Sequence, residues 1–141
     1  MQGWLRQDGR KGIRNTVVVA YLVECARHTA ELVARPFEEA DVHVIGFPGC
    51  YRNDYARRMM GALCTHPNVG AVLLVSLGCE SFDRSGVRAE VEASGRPVRT
   101  LVIQAAGGTR RTVEAGREWV RSTLAELERQ PKVPIAHHEL V

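Results

Sequence analysis

The stretch from Val69 to Glu80 constrains the fold of this chain more than any other segment. Its sequence is Val-Gly-Ala-Val-Leu-Leu-Val-Ser-Leu-Gly-Cys-Glu. A continuous apolar run that is rich in β-branched residues and stops at a glycine predicts a strand buried on both faces, as in parallel sheets covered by helices. Because ligands bind outside the carboxyl ends of such strands, Gly78, Cys79 and Glu80 lie where chemistry is expected.

Three more apolar segments alternate with stretches of helical periodicity. The predicted strands are residues 15–23, 41–47, 69–77 and 98–104, and the helices that follow them begin near residues 24, 54, 83 and 109. Four successive β-α units predict an α/β fold of the Rossmann-like or flavodoxin-like kind. We expect a three-layer sandwich around a four-stranded parallel sheet with strand order 2-1-3-4.

The length of 141 residues suits a single domain. We assign residues 1–131 to one α/β domain, which opens with a loop or hairpin over residues 1–15, and residues 132–141 to a tail or linker. The first residues lack the apolar core of a signal peptide, and no apolar run is as long as a membrane span. A cytoplasmic location without a membrane partner is therefore expected.

Charge and cysteine usage exclude several classes of protein. The net charge of +3 comes from arginines scattered among acids, which is typical of a solvated surface, so no nucleic-acid partner is expected. The four cysteines have no CxxC spacing, which disfavours a structural zinc site and a disulfide framework. Cys64 falls on the apolar face of a helix and is predicted to be a core thiol.

Polar and reactive residues follow each predicted strand, and the parallel topology brings them to one edge of the sheet. They are Glu24 and Cys25 after the first strand, Cys50 after the second, Cys79 and Glu80 after the third, and Gln104, Gly107, Gly108 and Thr109 after the fourth. Thr109 is also the predicted cap of the last helix.

Each of these residues has a structural explanation beside a functional one. The cysteines are either packing residues or thiolates for a soft metal, and no histidine is placed to activate one as a nucleophile. The glycines either bind an anion at a helix start or permit a tight turn. Glu24 and Glu80 either bind a divalent cation, share acid and base roles, or favour the first turn of a helix.

Several short motifs in order resemble the altronate dehydratase/galactarate dehydratase family. The motifs are Asp-Gly-Arg-Lys-Gly-Ile-Arg-Asn at residues 8–15, Pro-Gly-Cys at 48–50, His-Pro-Asn-Val at 66–69, Leu-Gly-Cys-Glu at 77–80, Ser-Gly-Arg-Pro at 94–97, Ile-Gln at 103–104 and Gly-Gly-Thr at 107–109. The resemblance covers nearly all of residues 3–130 and implies the middle α/β domain of a longer enzyme.

The resemblance implies a metal-dependent hydro-lyase that acts on sugar acids. Such an enzyme removes a proton next to a carboxylate and expels a β-hydroxyl, which gives a 2-keto-3-deoxy acid, with Fe²⁺ or Mn²⁺ as the divalent metal. A related member is a sulfolactate sulfo-lyase. The implied partners are a sugar-acid carboxylate as substrate and a C-terminal catalytic domain that this chain lacks. An apolar surface is then expected where that domain would dock, and its exposure favours a homo-oligomer.

We therefore interpret the chain as the central domain of such a dehydratase, inactive in isolation. Catalytic roles are assigned to Cys79, Glu80 and Cys50, and metal binding to Glu24 or Cys25. Substrate binding is assigned to Arg14, Asn15, Gln104, Gly107, Gly108 and Thr109, because an arginine fork matches a carboxylate. The alternative is a non-catalytic module that binds a small anion or serves in assembly.

Overall fold

A computed structural model describes residues 1–49 and 51–140. In chain order, its strands are β1 (Gln2–Leu5), β2 (Lys11–Gly12), β3 (Thr16–Tyr21), β4 (Val42–Gly46), β5 (Val69–Ser76), β6 (Val98–Val102) and β7 (Val133–Pro134). Strands β3 to β6 form a parallel sheet with order β4-β3-β5-β6. This order is the predicted 2-1-3-4, so the topology is confirmed.

Strand β5 lies at the centre of the sheet, and all of its residues are buried. It pairs with β3 on one side, where Leu73 lies opposite Val19, and with β6 on the other, where Leu73 lies opposite Arg99. A strand covered on both faces needs apolar residues at successive positions rather than at alternate ones. This requirement explains the unbroken apolar run from which the fold was predicted.

Helices cover both faces of the sheet, which confirms the three-layer arrangement. They are α1 (Arg27–Ala34), α2 (Asp54–Cys64), α3 (Arg84–Ala93), α4 (Ile103–Ala106) and α5 (Thr109–Glu128). Side chains alternate between the faces of each strand. Leu73 accordingly packs with α1 and α5 in one half of the core, and Leu74 packs with α2 and α3 in the other.

Side-chain caps start two of these helices, close to the starts that the sequence predicted. Asn53 accepts a hydrogen bond from the Ala56 backbone N–H, and Asp83 accepts one from the Gly86 N–H. The expectation that Thr109 caps α5 is wrong, because Gly108 is the N-cap and Thr109 is the first helical residue. Gly108 has a φ of +104°, a conformation that side chains disfavour.

A small antiparallel sheet packs at the amino ends of the parallel strands. Its order is β2-β1-β7, so the segment after α5 returns to pair with the first strand. Ile135 is buried next to β7, and Lys11 forms an ion pair of 2.7 Å with Glu139. In the described part of the chain, every helix is too short or too polar to cross a lipid bilayer.

Cys64 is fully buried in the core between α2 and the sheet, which confirms that it is a core thiol. Burial is the main reason that the pKa of this thiol rises from 9.0 to about 12. Between these pH values the unfolded chain loses a proton that the folded chain keeps, so the stability that the buried thiol contributes below pH 9 is lost as the pH rises.

We expect the wild-type chain to lose about 1 kcal/mol more stability than Cys64→Ala on going from about pH 8 to about pH 10. Urea unfolding at both pH values measures the difference. The matched variant Cys25→Ala keeps the buried thiol and should retain the wild-type pH dependence. The same change in the free energy of unfolding with pH for wild type and Cys64→Ala would contradict the raised pKa of the buried thiol.

Candidate active site at the carboxyl edge

Glu80 anchors the segment that follows the central strand. Its side chain is 0% exposed, and its carboxylate accepts hydrogen bonds from the Ser76 hydroxyl and, at 2.8 Å, from the Gly78 backbone N–H. Arg84 lies 3.9 Å from the carboxylate and donates to the Ser76 hydroxyl at 3.1 Å. The carboxylate therefore bridges the end of β5, the turn and the start of α3.

Ser76 and Arg84 were not among the residues predicted for this site. They lie four residues before and four residues after Glu80. That spacing places Arg84 in the first turn of α3, near the carboxylate. Because the three residues belong to a strand, a turn and a helix, no single periodicity groups them in the sequence.

Two of the three thiols predicted for the edge, Cys25 and Cys79, are exposed to solvent. Cys79 lies in the turn between Gly78 and Glu80, and Cys25 lies in a short 3-10 helix after β3. Glu24, the other candidate metal ligand, forms an ion pair of 3.4 Å with Arg27 and is half-exposed. Cys50 lies outside the described residues.

Gln104 joins the ends of β5 and β6. Its backbone N–H donates to the Leu77 carbonyl at 3.1 Å, and its side-chain oxygen lies 2.6 Å from where a Cβ on Gly78 would be. Gly78 also has a φ of +129°. The absence of a side chain at Gly78 therefore lets the Gln104 amide approach the turn that carries Cys79.

The glycines before α5 leave the start of that helix open. Gly107 and Gly108 have φ values of +92° and +104°, and a Cβ on Gly108 would meet no atom within 4 Å. No side chain caps the helix. Backbone N–H groups near Thr109 at the start of a long helix favour negative charge, so this end of the edge suits an anion.

An aromatic cluster beside the edge was not predicted. Phe47 packs against Phe82 with ring centroids 5.4 Å apart and against Tyr51 at 5.9 Å. Phe82 is buried, whereas Tyr51 is exposed. The rings link the segment after β4 to the segment after β5, and isolated aromatic residues in two loops carry no sequence signal for such a contact.

Arg14 and Asn15 do not join the other candidates, because they precede β3 and lie at the amino edge of the sheet. The Arg14 guanidinium binds the Asp41 carboxylate and lies 2.9 Å from His43 Nε2. Asn15 accepts from Arg6 at 3.0 Å and donates to the Gln130 side chain at 3.0 Å. Both residues therefore have partners within the chain.

The described residues do not fit a metal centre. Among residues 1–49 and 51–140, no three His, Cys, Asp or Glu side chains come together in a group able to hold a metal ion. Glu80 is already bonded to Ser76 and Gly78, and Glu24 is paired with Arg27. Both carboxylates are therefore engaged within the chain.

We expect Glu80→Ala to lower the free energy of unfolding by about 3 kcal/mol, because Gly78 N–H and the Ser76 hydroxyl lose a charged acceptor. Glu80→Gln keeps an oxygen acceptor and should cost less. Urea unfolding measures both values. The control Glu92→Ala removes an exposed carboxylate paired with Arg88, and should cost less than about 1 kcal/mol. An Ala variant as stable as wild type would show that Glu80 is no anchor.

The fold and this edge define a class of protein, namely parallel α/β domains that place polar residues beyond the carboxyl ends of their strands. Within that class, the family model for the D-galactarate dehydratase/altronate hydrolase second domain matches residues 3–128. The chain belongs to this family, which confirms the resemblance found in its motifs.

A curated relative supports the same family. The (2R)-sulfolactate sulfo-lyase subunit beta of Chromohalobacter salexigens is 32% identical over 136 residues. The match covers 92% of this chain and 34% of the relative, so the chain spans about a third of that protein's length. No solved structure matches the chain significantly.

Proposed function

We propose that this chain is the second domain of a lyase that eliminates a β-substituent from a sugar acid or a related hydroxy acid. The observation that carries the proposal is the family match over residues 3–128. The relative named as a sulfo-lyase subunit supports elimination chemistry, with a sulfonate in place of a hydroxyl as the group that leaves. We assign the sugar-acid substrates, altronate and galactarate, from the family.

In this proposal, the carboxyl edge forms one wall of the active site. The start of α5 binds the substrate carboxylate through backbone N–H groups from Thr109 onward, because the N–H groups of Gly107 and Gly108 already donate to the Ile103 carbonyl. The Gln104 amide hydrogen-bonds a substrate hydroxyl, and the exposed Cys79 thiol faces the same ligand. Glu80 is a positioning residue, because its carboxylate is engaged with Ser76 and Gly78.

The reaction balances as an elimination. A base takes the proton next to the substrate carboxylate, the electron pair forms a double bond, and the β-hydroxyl leaves as water after protonation. The resulting enol becomes a 2-keto-3-deoxy acid. We assign the base and the divalent metal, Fe²⁺ or Mn²⁺, to another domain or subunit that completes the site, because the described residues group no set of metal ligands. The chain by itself is then inactive.

The test is complementation of a full-length family enzyme from which the second domain has been deleted. This chain, added in trans with Fe²⁺ or Mn²⁺, should restore formation of 2-keto-3-deoxy acid from altronate or galactarate, or release of sulfite from (2R)-sulfolactate. The control is the enzyme's own second domain added in the same way. Restoration by the control with no restoration by this chain would contradict the proposal.

The isolated chain provides a second arm of the experiment. We expect it to give no product with any of these acids, with or without metal. Robust turnover by the chain alone would contradict its assignment as one wall of a shared site. Binding of the acids without restored turnover would instead support a module that binds anions or serves in assembly.

A further inference from the structure

A second candidate site lies at the amino edge of the parallel sheet, opposite the edge used above. A cavity of about 280 Å³ opens there between the small sheet, the turn after α3 and the end of α5. Its lining includes Trp4, Arg6, Gln7, Gly95, Arg96 and Gln130. At about 30 Å³ per water molecule, the volume is that of roughly nine waters, which suits a small organic ligand.

Two buried guanidinium groups line this cavity. Arg6 is 8% exposed and Arg96 is 6% exposed. Arg6 donates to the carbonyls of Pro67 at 2.6 Å and Arg14 at 3.0 Å, and to the Asn15 amide oxygen. These acceptors are neutral, so they satisfy hydrogen bonds but leave the positive charge uncompensated.

Part of the Arg96 guanidinium is not used in hydrogen bonds to the described chain. Its Nε donates to the Val69 carbonyl at 2.8 Å, and its Nη2 donates to the carbonyls of Thr65 and His66, both at 3.0 Å. Within residues 1–49 and 51–140, Nη1 has no hydrogen-bond partner, and it is not sealed from solvent either. Nη1 therefore offers N–H donors to a ligand in the cavity.

The surroundings leave this region positively charged. Among the described residues no carboxylate forms an ion pair with Arg6 or Arg96. Burial, followed by the charge of Arg96, lowers the pKa of Arg6 to about 10, and burial also lowers the pKa of Arg96. The charge of Asp8 acts to raise the pKa of both arginines, but this carboxylate is itself paired with Arg10 at 2.7 Å. Two cations that are partly desolvated and close to each other favour an anion.

We propose that this amino-edge cavity binds a small organic acid through its carboxylate, with Arg96 as the main donor and Arg6 as the second cation. The N–H groups of Arg96 Nη1 donate to the carboxylate, and such charge-assisted hydrogen bonds are stronger than neutral ones. The Gln7 side chain, which packs against Gly95, lies at the cavity wall and contacts the rest of the ligand. The site is independent of the proposed lyase function.

The test is an NMR titration of the isotope-labelled chain with malonate, tartrate and galactarate at constant ionic strength. We expect saturable shifts of the Trp4 indole N–H and of the Arg6 and Arg96 Nε–H signals. The indole of Trp119, which lies on α5 away from the cavity, is the internal control. Shifts that fail to saturate, or that chloride reproduces, would overturn the proposal, as would tighter binding of sulfate or phosphate.

A charge placed in the cavity gives a test that keeps both arginines. Gln7→Glu supplies a carboxylate at the cavity wall and should weaken binding of the added acids at least tenfold, whereas Gln2→Glu, at an exposed position of β1, should leave it unchanged. Equal binding by both variants would overturn the assignment of the site. Binding of a capped peptide that contains glutamate, with no binding of the small acids, would overturn the choice of a small ligand.

Discussion

Replacement of Leu73 by alanine should lower the free energy of unfolding by about 3 to 5 kcal/mol. Leu73 is 0% exposed on the central strand and packs in the core half formed with α1 and α5. A Cβ added to Gly116 on α5 would lie 3.4 Å from a Leu73 methyl group, which shows how closely that helix approaches. Truncation leaves a cavity that a rigid strand cannot close.

Urea denaturation followed by circular dichroism measures the free energy of unfolding that Leu73→Ala loses. A domain of this size has about 5 to 15 kcal/mol of stability, so the expected loss is a large share of it. Leu63→Ala is the matched control, because Leu63 is 44% exposed and should cost less than about 1 kcal/mol. Similar losses for the two variants would contradict the placement of Leu73 in the core.

Gly12→Ala should destabilise the chain by about 3 kcal/mol through a backbone collision. A Cβ on Gly12 would overlap the Pro67 carbonyl oxygen, and would lie 2.5 Å from the Pro67 carbonyl carbon and 3.0 Å from Asn68 N. Since backbone atoms cannot move aside as a side chain does, β2 must separate from this turn. The hydrogen bond from Ile13 N–H to the Asn68 side chain, 2.9 Å long, would be lost with it.

Urea unfolding measures the loss, and faster hydrogen exchange at the Ile13 amide locates it. Gly61→Ala is the matched control, because the added Cβ would meet the flexible carboxylate end of Glu90 instead of backbone. The gain in helix propensity, up to about 1 kcal/mol, offsets that contact. We expect Gly61→Ala to stay within about 1 kcal/mol of wild type, and an equal cost for both variants would refute the argument.

The candidate site was only partly predictable. The strand ends identified Glu80, Cys79 and Gln104 as residues of one edge, because the parallel topology follows from the alternation of strands and helices. The direction in which each side chain turns is not a property of the local sequence. Glu80 turns inward to Ser76 and Gly78, whereas Cys79, its neighbour in the chain, is exposed.

The fold class was determined by the sequence alone, and the strand order followed once the connection rules for parallel β-α units were applied to it. An unbroken apolar run from Val69 to Val75 requires cover on both faces of a strand, and helical periodicity between such runs supplies the covering helices. These signals are local, since each depends on residues within one element. They survive in the sequence regardless of which elements become neighbours.

Only the tertiary structure decided what the polar residues of the amino edge do. Arg6 reaches Pro67 across 61 positions of sequence, and Arg96 reaches Thr65 across 31. In the sequence, such arginines are indistinguishable from those of a solvated surface. Their burial depends on contacts between distant segments, and no periodic pattern within one segment encodes such a contact.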